Sequence, residues 1–264
     1  MSRLAIPTDA SAAAMETDEN LALIEPRKGK REKALPPAAV LIFTPLDLEV
    51  FSKRFPQRPS MSNRIYLSDA YAGEYGGVPI ALVGPMLGAP QAVMVLEKMI
   101  ALGVRKVFAV GWCGSLQGRV SVGDVVVPDT AVSEEGTSDH YPLGGDALRG
   151  PSNELRDPLI ADLSARGVKV HEGSVWTTDA PYRETRRKVL QYQNSGVLAV
   201  DMETSALLTV AAFRQIRLAV VLTVSDELHS MHWVHGYREP RFLETREKVV
   251  DAVLSVIARI MKEE

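Results

Sequence analysis

Several short segments carry residue types and spacings that can do chemistry. Gly111-Trp112-Cys113-Gly114-Ser115 directly follows an apolar run. Two glycines there let the backbone turn tightly and approach a ligand closely. The C-terminal ends of strands are where open α/β sheets bind small molecules. The segment is neither the G-x-G-x-x-G dinucleotide pattern nor a P-loop, which needs Lys-Ser/Thr after its last glycine. Alone, it fits equally well a turn that only closes a βα corner. Cys113 reads as a small buried residue rather than a nucleophile, since the motif holds no histidine.

Asp201-Met202-Glu203 lies between an apolar strand and a helix. Carboxylates at such a junction can simply cap the helix N-terminus. They can also accept hydrogen bonds from two neighbouring sugar hydroxyls, with the methionine as an apolar floor. Ser225-Asp226 ends another apolar strand. Its carboxyl is either a helix cap or a general acid, the latter requiring a site dry enough to raise its pKa. His229, His232 and His235 repeat every third residue. That spacing drifts across a helix surface rather than converging, and no carboxylate or cysteine joins at ligand spacing. A loop bordering a pocket is the better reading, and no metal is expected.

The elements that must position these residues follow from hydrophobic patterning. Val40 to Phe43, Ile80 to Gly84, Val107 to Gly111, Val125 to Val127, Leu198 to Val200 and Ala219 to Val224 are short apolar runs, mostly β-branched, bounded by turn residues. They read as buried strands. Pro90 to Leu102, Asn153 to Arg166, Arg183 to Tyr192, Thr204 to Arg214 and Arg241 to Met261 read as helices. In the last, Val250, Val253, Leu254, Ile257, Ile260 and Met261 form one apolar stripe. Strands alternating with helices imply a sheet covered on both faces, in one domain. Residues 1–36, without apolar periodicity, read as a flexible arm, and its basic run from Arg27 to Lys33 as solvated. Residues 37–264 read as the one folded domain, which carries all the candidate site residues.

A chain of 264 residues can bury a full core. The formal charge of −3 is spread over mixed signs, against nucleic acid or an anionic membrane as main partner. No apolar stretch reaches the roughly 18 residues of a membrane span. The N-terminus lacks a secretory pattern, and the single cysteine suits a reducing compartment, so a cytoplasmic location is expected.

Together the segments resemble the nucleoside phosphorylase and nucleosidase superfamily. The similarity runs from about Ala38 to the C-terminus. Its landmarks are Gly88-Ala89-Pro90, Val110-Gly111-Trp112-Cys113-Gly114, Val122-Gly123-Asp124-Val125-Val126-Val127, Thr178-Asp179-Ala180-Pro181-Tyr182, Val200-Asp201-Met202-Glu203 and Val224-Ser225-Asp226. The resemblance implies a three-layer α/β/α domain around a twisted, partly barrel-like mixed sheet, assembled as dimers, trimers or hexamers. It implies cleavage of the bond between base and pentose in a small nucleoside, with no cofactor beyond inorganic phosphate as possible co-substrate. By the same resemblance Glu203 holds the ribose 2′ and 3′ hydroxyls and Met202 packs on the sugar. Asp226 protonates N7 of a purine, and Tyr182 packs near the base.

Departures from the family pattern bear on the acceptor. Phosphorylases hold phosphate with an arginine from the turn after the first strand and another just before the Gly-rich turn. Here the first turn reads Thr44-Pro45-Leu46-Asp47-Leu48-Glu49, giving Glu49 in place of the arginine, and the second position is Ala109. Arg64 remains as a phosphate ligand offered by a neighbouring subunit. Hydrolytic members carry a glutamate that activates water, a role that fits Glu49 as general base. Trp112 replaces a small residue beside Gly111 and narrows the pocket for the sugar or acceptor. The acceptor therefore stays open between water and phosphate, tilted to water. A non-catalytic nucleoside binder is the rival reading. A dinucleotide-dependent oxidoreductase lacks its glycine fingerprint.

Overall fold

The computed structural model describes residues 22–143 and 150–263; residues 1–21 of the expected arm lie outside them. The sheet runs β1 (Ala38–Ile42), β2 (Ser60–Ile65), β3 (Ser68–Tyr75), β4 (Val78–Gly84), β5 (Lys106–Ser115), β6 (Val125–Glu134), β7 (Val170–Thr178), β8 (Ala199–Asp201), β9 (Arg217–Glu227) and β10 (Val234–His235) in chain order. The helices are α1 (Pro45–Arg54), α2 (Ala89–Ala101), α3 (Asn153–Ala165), α4 (Arg186–Asn194), α5 (Thr204–Phe213) and α6 (Pro240–Glu263). Spatially the strands follow the order β10-β9-β6-β7-β8-β5-β1-β4-β3-β2, and β9 also pairs with β5. That extra pairing closes β5, β9, β6, β7 and β8 into a five-stranded mixed barrel, from which the remaining strands extend as a wing.

Strict alternation explains why the strand sequences are apolar at every position. On β9, Leu218, Val220, Leu222 and Val224 pack with α2 and α5, whereas Ala219 and Val221 pack with α3 and α6. β1 divides in the same way: Ala39 and Leu41 face one layer, Ala38, Val40 and Ile42 the other. Successive side chains of a strand point to opposite faces, so a sheet buried on both needs apolar residues throughout. Helices on both faces give the three-layer α/β/α architecture. α4 covers a separate small cluster around Trp176, Val197 and Val200.

The strands that patterning missed are β2, β3, β7 and β10. The β2–β3 hairpin lies at the sheet edge and includes Ser60, Asn63, Arg64, Asp69 and Glu74, so it lacks the apolar signal of a buried strand. Residues 22–36 form no helix or strand, yet the arm is laid against the domain rather than free of it. Leu35 is buried and donates its N–H to Leu102 O at 2.9 Å. Asn63 exchanges two 2.9 Å hydrogen bonds with the Lys33 backbone, and Lys98 pairs with Glu32 at 2.7 Å. No described helix is long and apolar enough to cross a membrane.

Candidate active site

The site is organised around the C-terminal end of β5. Gly114 is opposite Val200 of β8 on one side and Asp226 of β9 on the other. The β5–β9 register shifts between Cys113 and Gly114, where Ser225 is the extra residue on β9. Such a bulge bends a strand and re-aims the residue that follows it. Gly114 is needed for closeness: a Cβ there would lie 3.0 Å from Asp226 Oδ2 and 2.9 Å from Leu228 Cδ1. At Gly111 a Cβ would overlap the Phe43 ring.

The two carboxylates of Asp201-Met202-Glu203 have separate jobs. Asp201 Oδ2 accepts from the Thr204 N–H at 2.9 Å and from its hydroxyl at 2.5 Å, while Oδ1 accepts from Thr177 Oγ1 at 2.7 Å. Asp201 therefore caps α5, and Glu203 is left over. Glu203 is buried, and its Oε1 accepts from the Gly88 N–H at 2.6 Å. Gly88 reaches this geometry with φ +81°, which favours glycine. Burial, and then the neighbouring Asp201 charge, push the Glu203 carboxyl up to about 8. Met202 borders the same glycine, its Cε 4.0 Å from where a Gly88 Cβ would stand.

Asp226 is held on both oxygens. Ser225 Oγ donates to Oδ1 at 2.6 Å and Trp233 Nε1 to Oδ2 at 2.9 Å. Burial raises its pKa, against the lowering effect of those hydrogen bonds and of His235. Short strand β10 places His235 opposite Asp226 and thereby fixes an aromatic wall. His235 stacks on Tyr237 with centroids 5.9 Å apart, and Trp233 meets His235 edge-on at 5.5 Å. Tyr237 lies 5.9 Å from Trp112. Burial, Asp226 and Glu184 together push the Tyr237 hydroxyl up to about 12.

Glu184 is the residue that sequence reasoning passed over. It follows the 3-10 turn Pro181–Arg183 and is half-buried. Burial and the charge of Asp226 push its carboxyl up to about 7, with Lys188 opposing. Nothing in local spacing marks it, because its neighbour Asp226 is 42 positions away along the chain. Tyr182, expected near the base, instead stands 99% exposed at the same turn.

Trp112 links this wall to a cavity of about 550 Å³, lined also by Phe43, Thr44, Met86, Leu87 and Gln91. The two carboxylates are not part of the cavity's lining. Glu203 adjoins it through Gly88, the residue after Leu87, and Asp226 adjoins it through the aromatics on Trp112. The Trp112 indole N–H donates to Asp47 Oδ2 at 2.7 Å, and Arg246 Nε donates to Asp47 Oδ1 at 2.7 Å. The Arg246 guanidinium lies 5.2 Å from the Trp112 ring and 5.6 Å from the Phe242 ring. Thr44 caps α1 by accepting from the Asp47 N–H, so Asp47 is fixed in the first turn.

Glu49 is not brought to this centre, and Arg64, expected to serve a neighbouring subunit, lies away from it in this chain. Glu49 points to the surface, with Arg58 at 2.9 Å and Lys53 at 3.4 Å on its carboxylate. Helical geometry explains it: Asp47 and Glu49, two apart, cannot share a face. The inward carboxylate of this turn is Asp47. Arg64 is exposed on the edge hairpin and paired with Asp69 at 3.2 Å. Gly111 and Trp112 lie where expected, at the end of β5. Cys113 is buried, and burial with the Asp201 and Asp226 charges pushes its thiol well up, so it is no thiolate at neutral pH. His229, His232 and His235 have different partners: Glu227, the Ser230 carbonyl and Tyr237. No group of three His, Cys, Asp or Glu suited to a metal occurs among the described residues.

Comparison with known proteins bears on the family and the fold. The model of the phosphorylase superfamily matches residues 37–262. A DeoD-type purine nucleoside phosphorylase of Bacillus cereus is 29% identical over 212 residues, spanning 80% of this chain and 90% of that protein. Among solved structures, purine nucleoside phosphorylase from Toxoplasma gondii in complex with immucillin-H superposes with a TM-score of 0.79 at 20% identity. It covers 90% of this chain and 99% of that one. Uridine phosphorylase from Vibrio fischeri superposes with a TM-score of 0.76 at 21% identity, covering 85% and 93%. At those identities the structures speak to the fold.

Proposed function

The chain belongs to the phosphorylase superfamily, and from that premise we propose that it cleaves the N-glycosidic bond of a purine-type nucleoside. The observation that carries the proposal is a carboxyl at each of two strand ends, buried Glu203 two residues beyond β8 and half-buried Asp226 on β9, where both strands pair with the end of β5 at Gly114. Glu203 holds the pentose diol, with Met202 beside it. Asp226 delivers the proton to the departing base, a role that burial favours by raising its pKa. Breaking C1′–N9 leaves the bonding pair on the base, and the proton from Asp226 to N7 neutralises it. The acceptor then bonds to C1′. With water, the proton it releases restores Asp226 through solvent, and the products are free base and pentose. With phosphate, the product is pentose 1-phosphate. No cofactor enters either balance.

Purine over pyrimidine is supported by Asp226 and by the DeoD-type relatives. The acceptor draws on opposing support. The relatives are phosphorylases, which leans to phosphate. In the turn after β1 the Asp47 carboxylate already pairs with Arg246, so the charge of that guanidinium is offset rather than free for a dianion. That leans to water, and water is the acceptor we favour. Assembly into two, three or six copies and a cytoplasmic setting belong to the same proposal, supported by the family resemblance and the unpaired buried cysteine.

The test is chromatography of free base from a nucleoside panel, without and with phosphate. Asp226→Asn is expected to lower turnover about 10²–10⁴-fold, the usual worth of a general acid. Base release without phosphate supports hydrolysis, and an absolute phosphate requirement overturns it. Tight nucleoside binding with no release by the wild type would make the protein a non-catalytic binder.

A further inference from the structure

We infer that Trp233 is a positioning residue for the acid: in the free protein its indole N–H caps Asp226 Oδ2, and a base reaches the acid proton only as that indole is displaced. The inference rests on the proposed reaction and adds to it the step that uncovers the proton.

The surroundings of Asp226 carry it. Ser225 Oγ lies 2.6 Å from Oδ1, and Ser225 is buried on β9 with Cys113 O as a second acceptor at 3.2 Å. Gly114 backs Oδ2, since a Cβ there would stand 3.0 Å from it. Two buried strands therefore close the carboxyl from the protein side. Trp233 Nε1 holds Oδ2 at 2.9 Å, yet Trp233 is 62% exposed. Of the two donors on Asp226, the indole is the one that stands towards solvent. Displacing Ser225 means moving a strand of the barrel. Displacing the indole takes a side-chain rotation, because β10 keeps its backbone paired, Val234 with Glu227 and His235 with Asp226.

Protonation and release of this cap are coupled. An indole N–H donates and cannot accept. It bonds well to a carboxylate and weakly to the hydroxyl oxygen of a carboxylic acid, since bonds to an ionised partner are about twice as strong. The cap is tight on ionised Asp226 and loosens when a proton from solvent settles on Oδ2. With the indole rotated away, that O–H donates to N7 of a purine. As C1′–N9 breaks, the bonding pair goes to the base and the proton passes from Oδ2 to N7. Asp226 is then a carboxylate again, and Trp233 recaps it as the base leaves. Burial raises the Asp226 pKa while the Ser225 and Trp233 hydrogen bonds lower it, so loss of the indole donor raises it further. A general acid works below its pKa, and the alkaline limb of kcat/KM then moves to higher pH. The titratable groups around Asp226 are Glu227 on its own strand, His235 on β10, Tyr237 after it, Glu184 before α4 and Cys113 on β5.

The test reads the indole itself. The chain has three tryptophans, and Trp233→Phe, which keeps a ring but no N–H, identifies the Trp233 signal by NMR. In the free wild type at pH 7.5 that N–H should exchange with water about tenfold or more slower than in Asp226→Ala, from one hydrogen bond to a charged group. Saturating free adenine or hypoxanthine should shift the signal and abolish the protection. Trp233→Phe should bind the same base about two- to tenfold tighter, having no cap to break, and its alkaline limb should lie higher; circular dichroism checks that each variant is folded. Equal exchange in wild type and Asp226→Ala, an indole unmoved by bound base, equal or weaker binding in Trp233→Phe, or an unmoved limb each overturns the assignment. A base that binds and leaves the indole in place sinks the Trp233 role alone. A displaced indole without turnover of any nucleoside sinks the proposed reaction, and failure to bind any purine sinks both.

Discussion

Replacing Glu203 by glutamine is expected to stabilise the protein above pH 8 while removing most of its activity. The amide oxygen can still accept the Gly88 N–H that Oε1 accepts at 2.6 Å, and the side chain stays buried at nearly the same volume. In the fold, burial and Asp201 push the carboxyl up to about 8, against an ordinary 4.5. Between those values the folded protein holds a proton that the unfolded chain has released. The folded state is thus favoured below 4.5, and this contribution is lost as pH rises through 8. The full linkage amounts to roughly 5 kcal/mol, an upper bound. With relaxation around an ionised carboxylate, a gain of about 2 kcal/mol at pH 8.5 is expected for glutamine. For a domain of this size that is about 4–8 °C in Tm. Thermal unfolding by circular dichroism at pH 5, 7 and 8.5 reads it, with the difference near zero at pH 5. Asp124 and Glu135, held low by their partners despite burial, titrate alike in both proteins and cancel. At pH 8.5, where the carboxyl is ionised, turnover should fall about 10²–10⁴-fold, since two diol hydrogen bonds to a charged group are weakened. A variant less stable than wild type by the same amount at all three pH values would refute the reasoning, because the carboxyl would then carry no strain from its burial.

Two further outcomes follow from the packing around Trp112. Asp47→Asn leaves the buried Arg246 without its counter-charge, a loss of about 3–5 kcal/mol, and Asp47→Asn with Arg246→Met should recover much of it in urea unfolding. Equal midpoints for the single and double variants would show that the ion pair is not what Arg246 depends on. Gly111→Ala drives a Cβ into the Phe43 ring and should cost about 1–3 kcal/mol, and Gly111→Ala with Phe43→Leu should restore part of that loss.

The sequence by itself determined the strands buried on both faces and the helices between them, because alternating and 3.6-residue apolar patterns are local signals read over a few turns. It also determined that carboxylates end two strands, at Asp201 to Glu203 and at Asp226. It did not divide the labour between Asp201 and Glu203, which depends on Gly88 arriving from 115 residues away. The polar hairpin β2–β3 was invisible, since edge strands need no apolar run. Closure of the barrel by β5–β9, the pairing of Asp47 with Arg246 across 199 residues and the approach of Glu184 to Asp226 were decided only by tertiary structure. So was the choice of Asp47 over Glu49 as the inward carboxylate, because a helix turns about 100° per residue and only the packing of α1 says which face looks in. Local pattern fixes period and caps, whereas convergence of side chains depends on how distant elements are stacked.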